Sequence, residues 1–280
     1  MNYFIEGIQG SGKTTMLEKM TQDNPKLKAY REGDFSPVEL AWCAYVSHSQ
    51  YEIIIKKYAN LAGEIKKNTV KEGEMYIITY TRIITDIPDF HKELEQYEIY
   101  NGLKSKAEFE EIVLSRFTSW SEDNQLFECS IFQNIIENQI LYLQMNDDEI
   151  VDFYRRVKDT LKGKKYKIIY LSVDNVREAE EIIKKERSDE AGNEMWFPVM
   201  IKYLEGAPFF KAHGYIGMET SVYKGYKQDK IEMRGDRAEM SDFPLYLNTV
   251  AGGLDRRDQT IGGFSFVVKI YAVPVVEIIG

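Results

Sequence analysis

Nine consecutive residues near the start of the chain, Gly7-Ile8-Gln9-Gly10-Ser11-Gly12-Lys13-Thr14-Thr15, have the types and spacing needed to hold phosphate. They read G-x-x-x-x-G-K-T, the P-loop pattern. Glycines let the backbone wrap closely around an anion, and the N–H groups, with the start of a following helix, point at it. In such a loop Lys13 reaches the β- and γ-phosphates of a nucleotide and the Thr14 hydroxyl sits on Mg2+. Gly7, Gly10, Ser11, Gly12 and Thr15 complete the candidate nucleotide cradle. The alternative is a glycine-rich β-to-α turn that binds nothing.

Carboxylates and aromatic residues at the ends of expected strands form a second set of candidates. Lys26–Tyr30 reads as a strand ending in Arg31-Glu32-Gly33-Asp34. In open parallel sheets ligands gather beyond the carboxyl ends of the strands, so these residues are expected to share a crevice with the loop. Glu32, with Asp34 as second choice, is a candidate for binding or deprotonating an acceptor hydroxyl; a solvated acidic turn is the alternative. Trp42 and Tyr45 are candidates for a pocket wall, or for core. Gln125–Ser130 reads as another short strand containing a carboxylate, Glu128. Lys184–Glu190 is densely charged and is either a lid over the nucleotide or a solvated helix end.

The elements that must position these residues follow from periodicity. Strands are expected at Tyr3–Ile5, Lys26–Tyr30, Gln125–Ser130 and Tyr166–Val173, the last stopping at Asp174. Met75–Ile84 reads as a strand or extended insertion. Helices are expected at Thr15–Met20, Val38–Val46, Gln50–Lys67, within Pro88–Ser121, and at Ile131–Gln144, Glu149–Leu161, Val176–Lys185 and Trp196–Leu204. Phe264–Ile279 reads as a last strand that Pro274 places at an edge or ends early. Strands alternating with helices predict a three-layer α/β fold with a parallel sheet of about five strands and helices on both faces. Residues 1–280 are taken as one domain, with 38–121 a helical insertion on the substrate side, 184–195 the lid and 226–280 an atypical C-terminal segment.

Composition narrows the function. The net charge of −9 among 280 residues disfavours nucleic acid as the main partner, because neutralising phosphates along a strand needs basic surface. No apolar run approaches the roughly 20 residues needed to span a bilayer, and no secretory signal is expected. Cys43 and Cys129 cannot form a disulfide framework, and the three histidines lack metal-ligand spacing, so a reducing cytoplasm without structural zinc is expected.

Ile5-Glu6-Gly7 leading into the loop, Arg31-Glu32 after the second strand, and the tryptophan of Val38–Trp42 together resemble the deoxynucleoside kinase and thymidylate kinase group. Glu128-Cys129-Ser130 occupies the place of that group's E-R-S or D-R motif, with Cys129 standing where the group carries arginine. More narrowly, E-G-D-F-S-P, L-A-W-C-A-Y and F-E-C-S-x-F-Q-N look like uncharacterised bacterial P-loop kinase-like proteins. The resemblance implies a P-loop phosphotransferase using ATP and Mg2+. In it, Glu32 contacts the acceptor, Thr14 and Glu128 hold the metal, and Lys13 with Arg187 of the lid offsets developing charge. The acceptor is a small molecule: nucleoside, nucleotide, antibiotic and sugar all stay open, as does a homodimer. A nucleotide-binding ATPase or sensor without kinase activity is the alternative.

Overall fold

Alternation along the first strand decides which way the layers face. β1 (Asn2–Gly7) directs Phe4 to one side of the sheet and Ile5 to the other, both fully enclosed. The computed structural model describes residues 1–7, 9–171, 182–193, 195–212, 260–261, 264–270 and 274–279. The readings that rest on Ile8, Val173, Asp174, Val176 and most of the C-terminal segment lie outside those residues.

From β1 the chain passes through α1 (Lys13–Asp23) to β2 (Lys28–Tyr30). It then runs through β3 (Ala44–Ser47), α2 (His48–Lys57), α3 (Ala62–Lys67), β4 (Thr69–Glu72), β5 (Met75–Ile78), α4 (Phe90–Glu95) and α5 (Lys106–Ser119). β6 (Gln125–Glu128), α6 (Gln133–Leu141), α7 (Asp147–Thr160) and β7 (Tyr166–Leu171) follow. Helices Trp196–Gly206 and Pro208–Ala212 precede β8 (Thr260–Ile261), β9 (Phe264–Ile270) and β10 (Pro274–Ile279).

The main sheet has the order β2-β6-β1-β7-β10-β9-β8. Its first four strands are parallel, with Phe4 opposite Phe127 on one side and Ile168 on the other. The expected five parallel strands are therefore four. The next place belongs to β10, which runs antiparallel to both β7 and β9. Three residues separate β9 from β10, enough for a hairpin, whereas a parallel neighbour needs a crossover of a dozen or more. Pro274 opens β10 and does not make it an edge, a place where the missing N–H is tolerated.

Each face of the parallel strands is covered. Ile5, Leu126 and Leu171 pack with Leu17 of α1, while Phe4, Phe127, Ile168 and Tyr170 pack with Phe117 of α5 and Phe153, Tyr154 and Val157 of α7. The Phe4 and Phe127 rings stack at 5.0 Å. Helices on both faces of a parallel sheet define an α/β fold.

The stretch expected to be a helical insertion also holds a second sheet, of order β3-β5-β4. Val38–Val46 is not a helix. Ser36 Oγ accepts the N–H groups of Val38 and Glu39 at 3.3 Å each, the Glu39 carboxylate accepts that of Ala41, and Arg116 of α5 donates to the Ser36 carbonyl. These bonds draw the backbone away from the i→i−4 pattern. From Ala44 burial alternates along the strand, and β3 pairs antiparallel with β5. Gly73, at φ 59°, supplies the positive dihedral of the tight turn joining β4 to β5.

Candidate functional site

The connections leaving β1 and β6, which are neighbours, run in opposite directions: α1 leads to β2 at one side, and α6 with α7 leads to β7 at the other. A crevice opens at such a reversal, beyond the carboxyl ends of the two strands. The glycine-rich loop follows β1 and Glu128 ends β6, so both lie there.

The loop's geometry demands its glycines. Gly7 has φ 147°, and a Cβ there would lie 2.6 Å from the Leu171 carbonyl oxygen and 2.7 Å from Ser11 Oγ. Gly10 and Gly12 take φ 75° and 87°, and Gly12 is the N-cap of α1. The first N–H groups of a helix lack intrahelical partners and carry partial positive charge. Gly10, Gly12, Thr14 and Thr15 are exposed, leaving that end of α1 open to a ligand. Lys13 folds back over the loop, with Nζ donating to the Gly7 carbonyl at 2.8 Å. Ser11 Oγ is buried and has no protein partner. Thr14 Oγ1 donates to Glu128 Oε1 at 2.6 Å, which makes these two the pair suited to a divalent ion. Among the described residues no group of three acidic, His or Cys side chains can hold a metal. Thr14 and Glu128 offer one hydroxyl and one carboxylate, a donor set of the kind Mg2+ takes, its remaining positions going to water and substrate phosphate.

Glu6, the residue before the loop, is buried without an ion-pair partner in contact, and burial pushes its pKa up to about 7. The carboxylate accepts N–H groups of Ile131 at 2.8 Å and Gln133 at 3.2 Å, and the Lys13 charge also favours the ionised form. Glu6 thereby fastens the end of β1 to the start of α6.

Beside the loop lies a cavity of about 340 Å³. Gln9 of the loop lines it, together with Glu32, Trp42, Glu95 and Glu98, Tyr100, the α6 residues Gln133, Asn134, Glu137 and Asn138, and Lys202 and Tyr203. Burial, with added repulsion from Glu95 and Glu32, raises the Glu98 pKa to about 7 even though its carboxylate accepts the Tyr80 hydroxyl at 2.6 Å. Burial and then the Glu32 charge raise Glu137 to about 8.

The expected site residues thus separate. Gly7 to Thr15 and Glu128 converge at the crevice, and Glu32 and Trp42 line the cavity. Asp34 is engaged elsewhere: its carboxylate accepts the Arg31 N–H at 2.9 Å and pairs with Arg82 at 2.9 Å. Tyr45 packs against the main core, where burial raises its pKa. Arg187 is exposed just past the helical residues 182–186 and donates its backbone N–H to the Ile183 carbonyl. Asp189, two residues on, closes a turn by accepting two hydrogen bonds from Asn193, at Oδ1 and Oδ2. Cys129 is buried at φ 55°, and its thiol donates to Gln133 Oε1 at 3.4 Å.

Glu98, Glu137 and Asn138 were absent from the sequence expectations. A readable trace of the α6 set existed in Gln133-Asn134-Ile135-Ile136-Glu137-Asn138, where polar residues recur four apart on a helix otherwise made of isoleucine. Compared with known proteins, the chain matches no family model, no curated protein and no solved structure.

Proposed function

We propose that the chain is an ATP- and Mg2+-dependent phosphotransferase of the P-loop kinase type, acting on a hydroxyl or phosphate of a small molecule. The observation that carries the reading is the Thr14–Glu128 hydrogen bond at the head of a loop with P-loop spacing. It joins the residues such an enzyme needs for its metal, although they lie 114 positions apart in sequence. The backbone amides of Gly10 to Lys13 bind the β-phosphate, and Lys13 swings from the Gly7 carbonyl to the transferred group. Bound Mg2+ would neutralise charge on the phosphates. Glu32 orients the acceptor and takes its proton, having the only expected carboxylate that lines the cavity. In-line transfer needs little more than this positioning.

A second reading is favoured by Cys129, a buried thiol where the resembling kinases carry arginine: a nucleotide sensor or ATPase that transfers nothing. ADP production from ATP and Mg2+, measured with and without nucleosides, nucleoside monophosphates and hydroxylated amines, separates the two. Acceptor-dependent turnover that disappears in Lys13→Ala is the expected result. Acceptor-independent hydrolysis or binding without turnover points to the sensor, and full activity in Lys13→Ala removes both readings.

A further inference from the structure

Building on the phosphotransferase reading, we propose that the acceptor is a hydroxylated polyamine of the aminocyclitol or amino-sugar class, held in the cavity by carboxylates on separate walls. Among the described residues lining this space, Glu32, Glu95, Glu98 and Glu137 are acidic and Lys202 alone is basic. Glu32 and Glu95 are exposed at its mouth, whereas Glu98 is buried and Glu137 half-buried within. The four carboxyl groups stand on separate walls, Glu32 and Glu95 at the mouth and Glu98 and Glu137 within, an arrangement that suits a ligand with several separated cationic centres, which would draw the inner two into their ionised form.

Asn138 adds an independent requirement. It is 2% exposed and lines the cavity; its Oδ1 accepts the Gly102 N–H at 3.2 Å, but its Nδ2 has no partner. A buried donor left unpaired costs free energy that a ligand oxygen would recover. A pure polyamine offers no such oxygen, while a neutral polyol leaves the exposed Glu32 and Glu95 carboxylates at the mouth without a cation. A hydroxylated amine meets both demands and brings the hydroxyl that a phosphotransferase needs. Trp42, Tyr100 and Tyr203 also line the cavity, and aromatic rings attract cations. A volume of about 340 Å³ suits one or two rings.

In the transfer step the acceptor oxygen forms a bond to the γ-phosphorus as the bond to the β,γ-bridging oxygen of ATP breaks. ADP carries away that electron pair, and the hydroxyl proton passes to Glu32.

Calorimetric titration of the full chain with 2-deoxystreptamine, neamine, myo-inositol and spermidine tests the idea, run in parallel on Lys13→Ala, which leaves the cavity intact. The expected result is that 2-deoxystreptamine or neamine binds at least tenfold more tightly than myo-inositol and spermidine in both proteins. Glu137→Gln, and Glu32→Gln at the exposed mouth, each weaken that binding at least tenfold while the melting temperature shows a folded protein. Equal or tighter binding of myo-inositol or spermidine, no binding of either amine, or binding untouched by both substitutions overturns the proposal. ADP production separates the two levels of inference. Amine binding without Lys13-dependent turnover removes the phosphotransferase reading and the acceptor role, leaving only the cavity's ligand class; turnover driven by myo-inositol or thymidine keeps the phosphotransferase and overturns the amine.

Discussion

The candidate phosphate cradle is nine consecutive residues, Gly7 to Thr15, whereas the cavity beside it draws on side chains scattered from Gln9 to Tyr203. The loop works through backbone geometry, with positive φ at three glycines and a helix start. A Cβ at Gly7 would break its fit, whereas its side-chain contribution is concentrated in Lys13 and Thr14. The cavity is lined by side chains drawn from several elements, with α6 contributing four of them. Its preference can change one residue at a time without disturbing the loop. On the proposed phosphotransferase reading, holding phosphate would fall to contiguous backbone and choosing the acceptor to dispersed side chains.

The largest effect that would test this contrast is loss of the loop's charge. Lys13→Ala should reduce turnover on the order of a thousandfold with the melting temperature little changed, as read by ADP release and calorimetry. Glu32→Gln should reduce transfer by roughly a hundredfold while ATP affinity stays near wild type. Equal losses in both would move Glu32 out of the acceptor half of the site. Gly7→Ala forces a Cβ to within 2.6 Å of the Leu171 carbonyl, and a destabilisation of about 2 kcal/mol or more is expected in chemical denaturation. If the variant is as stable as wild type, the loop is not held by backbone fit.

The buried carboxyls at the β1–α6 joint and in the cavity should give a stability that falls as pH rises. Glu6 and Glu98 have folded-state pKa values raised from the ordinary 4.5 to about 7, so between those values the native protein keeps protons that the unfolded chain has lost. Stability contributed by the protonated carboxyls is present below about pH 4.5 and declines through about pH 7, by about 1 kcal/mol per group per pH unit at the steepest. Glu98→Gln should flatten that slope in melting curves from pH 5 to pH 7.5, measured in low-chelation buffers; an unchanged slope would place the titration elsewhere. The smallest effect belongs to Asp34, whose partner Arg82 is more than half exposed. Asp34→Asn should leave turnover unchanged and cost under about 1 kcal/mol.

Legibility in the sequence followed the same divide. Gly7 to Thr15 stands out in the sequence because the pattern is one of spacing along the chain, and the positive φ of Gly7, Gly10 and Gly12 gives a physical reason for its glycines. Glu128 and Glu32 were legible because each sits at or just past the end of a recognisable strand, and β6 and β2 formed as the residue pattern predicts. The missed elements depend on distant partners. Val38–Val46 has helical spacing of large residues, but Arg116, 80 positions away, helps pin the Ser36 carbonyl and the chain turns instead. Glu98 becomes a cavity residue only when α6 packs opposite it, and nothing local to Glu95-Gln96-Tyr97-Glu98 encodes that. The fifth strand was expected to be parallel, since the hairpin made by β9 and β10 resembles a single apolar run.

Glu6 bears on how the two regions keep their spacing. Its backbone leads directly into Gly7, and its carboxylate grips the amides at the start of α6, the helix that carries Gln133, Glu137 and Asn138. The glycine-rich loop and the α6 wall of the cavity are thus tied through a single side chain. If the chain transfers phosphate as proposed, the span from loop to cavity wall would act as a built-in gauge, sorting molecules by reach as well as by charge: one too short to bridge the gap would be bound without being used.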